Sequence, residues 1–125
     1  MSVAYAYDDT YEPAAAVVPL RIGVPADDMP VLVSALVDSG ADLSVVPAAL
    51  ARQLDLPVTD VLQVRGVGGE SRNATVHAAE VEIDGVAELI EVIALGTETL
   101  LGRNLLNAFV ITLDGPHERV TVARA

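Results

Sequence analysis

The sequence predicts an all-β domain, built mostly from short strands around one core. Apolar residues make up 52% of the 125 residues but aromatic residues only 3%, so Val, Leu, Ile and Ala must fill the core. Among these, the β-branched residues are favoured on pleated strands. From Val17 onward, turn signals recur at short intervals, which is typical of all-β domains. The length falls in the size range of a single domain.

The first half of the chain contains three predicted strands and a short helix. The strands lie at Val17–Gly23, Val31–Val37 and Leu43–Val46, and the helix at Pro47–Leu54. Proline suits the first position of a helix because the N–H group that it lacks would have no partner there.

The second half contains two predicted hairpins, a short helix and a final hairpin. Asp84-Gly85 is a strong signal for a two-residue hairpin turn, and Gly-rich sequence marks the tip of the longer hairpin before it. The predicted strands are Asp60–Arg65, Ser71–Ile83, Val86–Leu95, Phe109–Leu113 and Arg119–Ala123, and the helix is Arg103–Asn107.

Residues 1–14 differ from the rest of the chain. They hold all three tyrosines and three acidic residues but no basic residue. We interpret this segment as a flexible arm that precedes the domain at 15–125, because chain termini are often untethered. The alternative is an arm that docks on a partner or occupies a cleft.

The charge and composition exclude several classes of function. The net charge of −11 disfavours nucleic acid and anionic membranes as partners. Without Lys or Cys, the chain lacks a P-loop lysine, a Schiff-base lysine and a thiol nucleophile. His77 and His117 are too few and too far apart for a zinc site, so we expect no metal and no cofactor. The sequence begins without a signal peptide and has no membrane-spanning apolar run, which favours a cytoplasmic protein.

Three segments contain candidate catalytic or ligand-binding residues, although each also has an ordinary structural explanation. Leu36-Val-Asp-Ser-Gly-Ala41 places Asp38 on a turn directly after an apolar strand, where Asp and Gly are also common turn residues. Gly66-Val-Gly-Gly69 is either a plain hairpin tip or a mobile flap whose bare amides approach a ligand. Leu100-Leu-Gly-Arg-Asn-Leu-Leu106 is an apolar strand that breaks at Gly102 into a helical turn.

Together and in this order, the three segments resemble the retropepsin family, the single-domain aspartic proteases of retroviruses and their cellular and bacterial relatives. The resemblance covers about Val31 to Leu113, and Gly102 follows Asp38 at the spacing of that family. It implies a closed β-barrel with a flap hairpin and one or two short helices.

The resemblance also implies roles for individual residues. Asp38 would be catalytic, and Ser39 and Gly40 would support its turn. Substrate would contact the turn residues Ala41, Asp42 and Leu43 and the flap residues Val67, Gly68 and Gly69. Arg103 would form a structural ion pair with Asp42.

Acid–base catalysis by carboxylates needs two carboxyl groups that lie close together and share one proton, because two carboxylates at that distance cannot both stay ionised. The chain has one Asp of this kind, since Asp84-Gly85 and Asp114-Gly115 lack the hydroxyl residue between Asp and Gly. A symmetric homodimer would bring two copies of Asp38 together. We expect Phe109–Ala123 to form the dimer surface, with Val110, Val120 and Val122 among its apolar residues, and we do not expect the interleaved termini of the viral enzymes.

The sequence therefore predicts a homodimeric aspartic endopeptidase that cleaves peptides bound as an added strand. Aliphatic pockets formed by Val37, Ala41, Leu43, Val67 and Leu100 would favour apolar residues beside the scissile bond. The main alternative is a retropepsin-like module that dimerises and binds peptides without cleaving them. A serine nucleophile at Ser39 is disfavoured because no Gly-x-Ser-x-Gly elbow or suitably spaced histidine accompanies it.

Overall fold

The computed structural model describes residues 2–28 and 30–124, which contain ten strands and two short helices. In chain order the elements are β1 (Ser2–Ala6), β2 (Val17–Gly23), β3 (Val31–Val37), β4 (Ser44–Val46), α1 (Ala48–Gln53), β5 (Val58–Arg65), β6 (Ser71–Ile83), β7 (Val86–Ala94), β8 (Leu100–Leu101), α2 (Arg103–Leu106), β9 (Phe109–Asp114) and β10 (Arg119–Arg124). In those described residues, neither helix has the length and apolar character needed to cross a membrane.

The larger of two sheets closes into a six-stranded barrel. Its strands lie in the order β2-β3-β8-β4-β7-β6-β5, and β2 also pairs with β6, which closes the ring. Most neighbours are antiparallel, whereas β8 pairs in parallel with β3, and β4 in parallel with β7. The strand β5 lies outside the ring and forms a long hairpin with β6. The predicted all-β closed barrel is confirmed.

The core is aliphatic, as the composition predicts. In β2, buried and exposed residues alternate, so that Val18, Leu20 and Ile22 point into the barrel while Pro19 and Arg21 are exposed. Because successive side chains of a strand point to opposite faces, one face of each strand fills the interior. Further core residues come from β6, β7 and α2, including Val81, Ile83, Val92, Leu105 and Leu106.

Helix boundaries differ slightly from the sequence prediction. The helix α1 begins at Ala48, because Pro47 has an extended ψ of 138° and lies at the N-cap position. The second helix is shorter than predicted and ends at Leu106.

The amino-terminal segment forms a strand where the sequence predicted a flexible arm. The strand β1 pairs antiparallel with β10, with Val3 opposite Val122 and Tyr5 opposite Val120. Val3 and Tyr5 alternate with more exposed residues, so the segment has the two-residue period of a half-buried strand. Burial, together with the charge of Asp84, raises the pKa of Tyr5. The apolar side chains that dock β1 explain the difference.

The second sheet has the order β1-β10-β9 and corrects part of the predicted dimer surface. The strand β10 is central in this sheet, and the face that carries Val120 and Val122 packs into the hydrophobic core of the monomer, where both are fully buried. They are therefore not free to contact a partner. Val110, on the edge strand β9, is 54% exposed.

Candidate active site

Asp38 lies at the point where β3 ends and the chain turns. Its backbone N–H donates to the carbonyl of Leu101 at 3.0 Å, which continues the pairing between β3 and β8. Its own carbonyl accepts from the N–H of Ala41 at 3.2 Å, which closes the turn. The Asp38 side chain is thus carried at the end of a strand whose backbone is fixed within the barrel.

The next two residues shape the surroundings of the Asp38 carboxylate. The N–H of Gly40 donates to Asp38 Oδ1 at 3.1 Å, and a Cβ at residue 40 would lie 3.3 Å from that same oxygen. Glycine therefore lets the backbone approach the carboxylate closely. Ser39 and Gly40 are both exposed, whereas Asp38 is half-buried.

Arg103 connects α2 to both sides of this turn. Its guanidinium pairs with Asp42 Oδ1 through Nη2 and donates from Nη1 to the carbonyl of Ser39 at 2.8 Å. Its backbone N–H donates to the carbonyl of Ala41 at 2.9 Å. The structure thus brings together Asp42 and Arg103, the two residues expected to form an ion pair, and adds a contact to Ser39 that the sequence did not indicate.

We expect Arg103→Ala to destabilise the protein more than Asp42→Ala. An exposed ion pair contributes at most about 1 kcal/mol, and the aspartate substitution removes only that pair. The arginine substitution also removes a charged hydrogen bond to Ser39, so the expected loss is about 1–2 kcal/mol. Urea unfolding of the two variants measures the difference. Equal losses would show that the contact to Ser39 contributes nothing.

A second set of hydrogen bonds, centred on Ser44 and Asn104, lies behind the turn. Asn104 Oδ1 accepts from the Ser44 N–H at 3.0 Å and from its hydroxyl at 2.9 Å, and Nδ2 donates to the carbonyl of Glu91 at 2.8 Å. The hydroxyl of Ser44, itself buried, accepts from the N–H of Gly102 at 2.9 Å. Sequence reasoning missed both roles, since a Ser and an Asn 60 residues apart give no local signal.

Gly102 is packed against the chain that follows the turn. A Cβ at this residue would lie 2.5 Å from the carbonyl carbon of Leu43 and 2.8 Å from the backbone nitrogen of Ser44. The break between β8 and α2 therefore requires glycine for reasons of space.

A groove of about 610 Å³ begins at the turn and runs beneath the hairpin of β5 and β6. The predicted substrate-binding residues Ala41, Asp42 and Leu43 line it together with Gly40. The other lining residues come from β4, β5, β7 and the residue that follows β7: Val45, Leu62, Val64, Arg65, Ile93 and Leu95. Apart from Asp42 and Arg65, its walls are aliphatic or glycine.

The predicted flap residues Val67, Gly68 and Gly69 lie outside this groove. They form the tip of the β5–β6 hairpin, which is closed by a 3.0 Å hydrogen bond from the Gly69 N–H to the Gly66 carbonyl. Gly69 has a φ of +88°, a conformation that favours glycine. Val67 is fully exposed and lines a separate cavity on the hairpin. The tip therefore projects beyond the barrel in this single chain.

Two other residues expected in the substrate pockets also lie elsewhere. Leu100 lines a cavity with Val45 and Leu95, and Val37 lines a third one with Ser39 and β9. Both cavities adjoin the turn or the groove but are separate from it.

The two histidines take structural positions. His77 is buried, with Nδ1 2.8 Å from the carbonyl of Leu56 and Nε2 2.8 Å from the hydroxyl of Thr75. His117 lies in the β9–β10 turn, where Nδ1 is 2.9 Å from Asp114 Oδ2. Across residues 2–28 and 30–124, no three metal-ligating side chains gather into a group.

Residues 29–108 match the model of a protein family described as "gag-polyprotein putative aspartyl protease". The chain belongs to this aspartyl protease family. The match includes the Asp38 turn, the groove, the hairpin and Gly102-Arg103-Asn104. No curated protein sequence matches the chain.

Solved structures of retropepsin-like proteases share the fold of this member of the aspartyl protease family. A retropepsin-like aspartic protease from Rickettsia conorii has a TM-score of 0.67 at 17% identity, over 98% of this chain and 90% of that one. The simian foamy virus protease has a TM-score of 0.55 at 20% identity, over 70% and 88% of the two chains. The retroviral protease-like domain of Ddi1 from Leishmania major has a TM-score of 0.54 at 22% identity, over 89% and 94%.

Proposed function

We propose that the protein is an aspartic endopeptidase that acts as a homodimer. The observation that carries this proposal is the position of Asp38. Its half-buried carboxylate lies on a turn that is held by hydrogen bonds and that adjoins an aliphatic groove. The carboxylate accepts a hydrogen bond from Gly40, and the turn is held from behind by Arg103. A carboxylate positioned in this way suits acid–base chemistry on a substrate in the groove.

The second carboxylate of the reaction must come from another copy of the chain. Asp42, near Asp38 in the sequence, is held by Arg103 and is 86% exposed. Asp84 lies in the turn between β6 and β7, and Asp114 ends β9, where its carboxylate contacts His117. A two-fold axis beside Asp38 would place two identical carboxylates together, and isologous dimers are the commonest symmetric assembly.

In the proposed reaction the two Asp38 carboxyl groups share one proton. The ionised carboxylate takes a proton from a bridging water as its oxygen attacks the peptide carbonyl carbon. The protonated carboxyl group donates its proton to the carbonyl oxygen, giving a tetrahedral diol. Collapse of the diol breaks the C–N bond, with a proton passing to the leaving nitrogen, and the dyad again holds one proton.

The groove supports an extended peptide with apolar side chains as substrate. Its walls offer aliphatic surface from Leu43, Leu62, Val64 and Ile93, and a strand-like ligand places alternate side chains against such surface. The hairpin tip, with three glycines in four residues, would close over the ligand when a substrate binds.

A peptide-library assay tests the enzymatic proposal. The wild-type protein is incubated with the library at a series of values between about pH 4 and pH 7, so that the pH dependence of any cleavage is measured together with its rate. We expect the wild-type protein to cleave between apolar residues, and Asp38→Asn to cleave the same peptides about 10⁴-fold more slowly. Asp55→Asn is the matched control, because Asp55 is exposed and its φ of 55° is well tolerated by asparagine.

Two results would contradict the proposal. If wild type binds library peptides without cleaving them, the protein is a peptide-binding module of the same fold. If Asp38→Asn cleaves as well as wild type, hydrolysis depends on another group.

A further inference from the structure

An arginine forms part of the wall of the groove that adjoins the Asp38 turn. Arg65, the last residue of β5, lines this groove of about 610 Å³ together with aliphatic side chains. Asp42 brings a negative charge to the same groove, but its carboxylate is paired with Arg103. The charge that is left for a ligand to meet in the groove is therefore the positive charge of Arg65.

A second arginine lies beside the groove, on the other strand of the hairpin. Arg72 of β6 pairs directly opposite Val64 of β5, and residues opposite each other in a sheet share a face. Val64 lines the groove, so Arg72 belongs to the face of the hairpin that is turned towards the groove. Arg65 and Arg72 also line one cavity of about 440 Å³, and Leu95 lines both this cavity and the groove. The two arginines therefore lie together at one end of the groove.

Arg65 and Arg72 have no ion-pair partner in residues 2–28 and 30–124, whose ion pairs involve other side chains. Both are exposed, in a chain with 18 acidic residues and only 7 basic ones. A shortage of carboxylates therefore does not explain why these two cations lie side by side without one. Like charges repel each other, and a carboxylate bound between the two would remove that repulsion.

Two acidic residues lie near the arginines, and each is turned towards another group. Glu70 lines the same cavity, but its carboxylate lies against the glycines of the hairpin tip, where a Cβ at Gly68 would be 2.6 Å from Glu70 Oε2. Glu98 lines the neighbouring cavity with Arg72, and its Oε1 accepts a hydrogen bond from the Tyr11 hydroxyl at 3.2 Å. The position between the two arginines is thus left to a ligand.

We propose that Arg65 and Arg72 bind an acidic side chain of the substrate at this end of the groove. Planar guanidinium groups bind a carboxylate through parallel hydrogen bonds, and arginine lays its apolar stem along an aliphatic wall. The substrate class is then an extended peptide with apolar residues beside the scissile bond and a Glu or Asp a few residues away. Because the arginines border the same groove as the Asp38 turn, and an extended peptide advances about 3.3 Å per residue, we place the acidic residue within about four residues of the scissile bond.

The scissile bond in this inference rests on the proposed function, whereas the binding of an acidic peptide does not. The two arginines bind the peptide away from the bond that is cleaved, so they hold the substrate and the transition state alike. Contacts of that kind lower KM and leave kcat unchanged. Arg65 and Arg72 are therefore specificity-determining residues and not catalytic ones.

Paired peptides test the inference. All peptides share an apolar pair at the centre and Gln at the other positions, and the members of a pair differ only by Glu or Gln at one position, which is scanned along the peptide. Cleavage is measured at about pH 6, where a free Glu is ionised. We expect the wild-type protein to favour the Glu peptide about five- to tenfold in kcat/KM at one position, through a lower KM.

Substitution of the arginines identifies the group that recognises the acidic residue. Arg65→Gln and Arg72→Gln should each reduce the preference for Glu, and the double variant should bring it below about twofold. Replacing both arginines by Glu should reverse the preference, so that Lys at the same position is favoured over Glu. A general loss of activity changes both members of a pair equally, so the ratio reports the charge contact alone. Arg119→Gln is the matched control, because it removes the same charge from an exposed residue of the second sheet and should leave the ratio unchanged.

A binding measurement separates this inference from the proposed function. Fluorescein-labelled copies of the same peptides are titrated with Asp38→Asn and followed by fluorescence anisotropy, and the Glu peptide should have a Kd about five- to tenfold lower than its Gln partner. Tighter binding of the Glu peptide without cleavage by the wild-type protein would support the acidic site and contradict the endopeptidase. Equal binding within every pair, or no binding at all, overturns the inference even if the wild-type protein cleaves apolar peptides. A preference for Glu that persists in the double Gln variant overturns it as well.

Discussion

Mixing wild-type protein with a ninefold excess of Asp38→Asn is expected to reduce peptide hydrolysis about tenfold at constant wild-type concentration. If each active site needs one Asp38 from each subunit, only dimers of two wild-type chains are active. Random assortment places most wild-type chains in mixed dimers, which hold one carboxylate and one amide. An amide cannot take a proton from the attacking water, so mixed dimers should be inactive.

The experiment requires that the subunits exchange, which co-refolding the mixture ensures. Asp55→Asn in the same excess is the control, since its mixed dimers keep both copies of Asp38. Activity that stays proportional to the amount of wild-type protein would show that one chain contains a complete active site. That result would contradict a shared dyad even if Asp38→Asn alone were inactive.

The strands of the barrel were predictable because their signals are local. The two-residue alternation in β2 and β6 and the turn residues between strands follow from backbone geometry over a few positions. The turn at Asp38 and the break at Gly102 were also visible, because each joins an apolar strand to residues that favour turns or helices.

The parts that sequence reasoning missed depend on contacts between distant segments. Whether Ser2–Ala6 forms a strand depends on the free edge of β10, more than 110 residues later. Val120 and Val122 have the same local pattern whether they face a core or a partner, and only the folded chain shows that their side of β10 packs into the core. The hydrogen bonds of Ser44 and Asn104 likewise require the folded barrel.

In the candidate site, too, the residues that are close in sequence were predictable and the contacts between distant segments were not. Residues of one continuous turn, Ala41, Asp42 and Leu43, line the same groove because their order in the chain already places them together. The hairpin tip contains Val67, Gly68 and Gly69. Its position relative to the groove depends on the length of the two strands and on the ligand that it covers. Contact between these residues and substrate stays a prediction.

Gly102→Ala is expected to destabilise the protein by about 3 kcal/mol and to impair any activity that depends on the turn. The added Cβ would lie 2.5, 2.6 and 2.8 Å from three backbone atoms of Leu43 and Ser44. Real Cβ atoms do not approach backbone so closely, and overpacking of this kind typically costs about 1–3 kcal/mol or more. The clash cannot be relieved by rotating a side chain, so the Leu43–Ser44 segment must move.

That movement would break the hydrogen bond from the Gly102 N–H to the Ser44 hydroxyl and disturb the contacts of Asn104 that depend on Ser44. For a domain of this size the loss of stability corresponds to a fall in Tm of roughly 10 °C, measurable by circular dichroism at matched protein concentration.

Gly115→Ala is the control, because a Cβ there meets nothing within 4 Å and the backbone has no positive φ. It should change stability by less than about 0.5 kcal/mol. If Gly102→Ala and Gly115→Ala had the same Tm, close packing of Gly102 against Leu43 would not be what holds the turn. The ion pair of Arg103 with Asp42 would then be the principal link between α2 and Asp38.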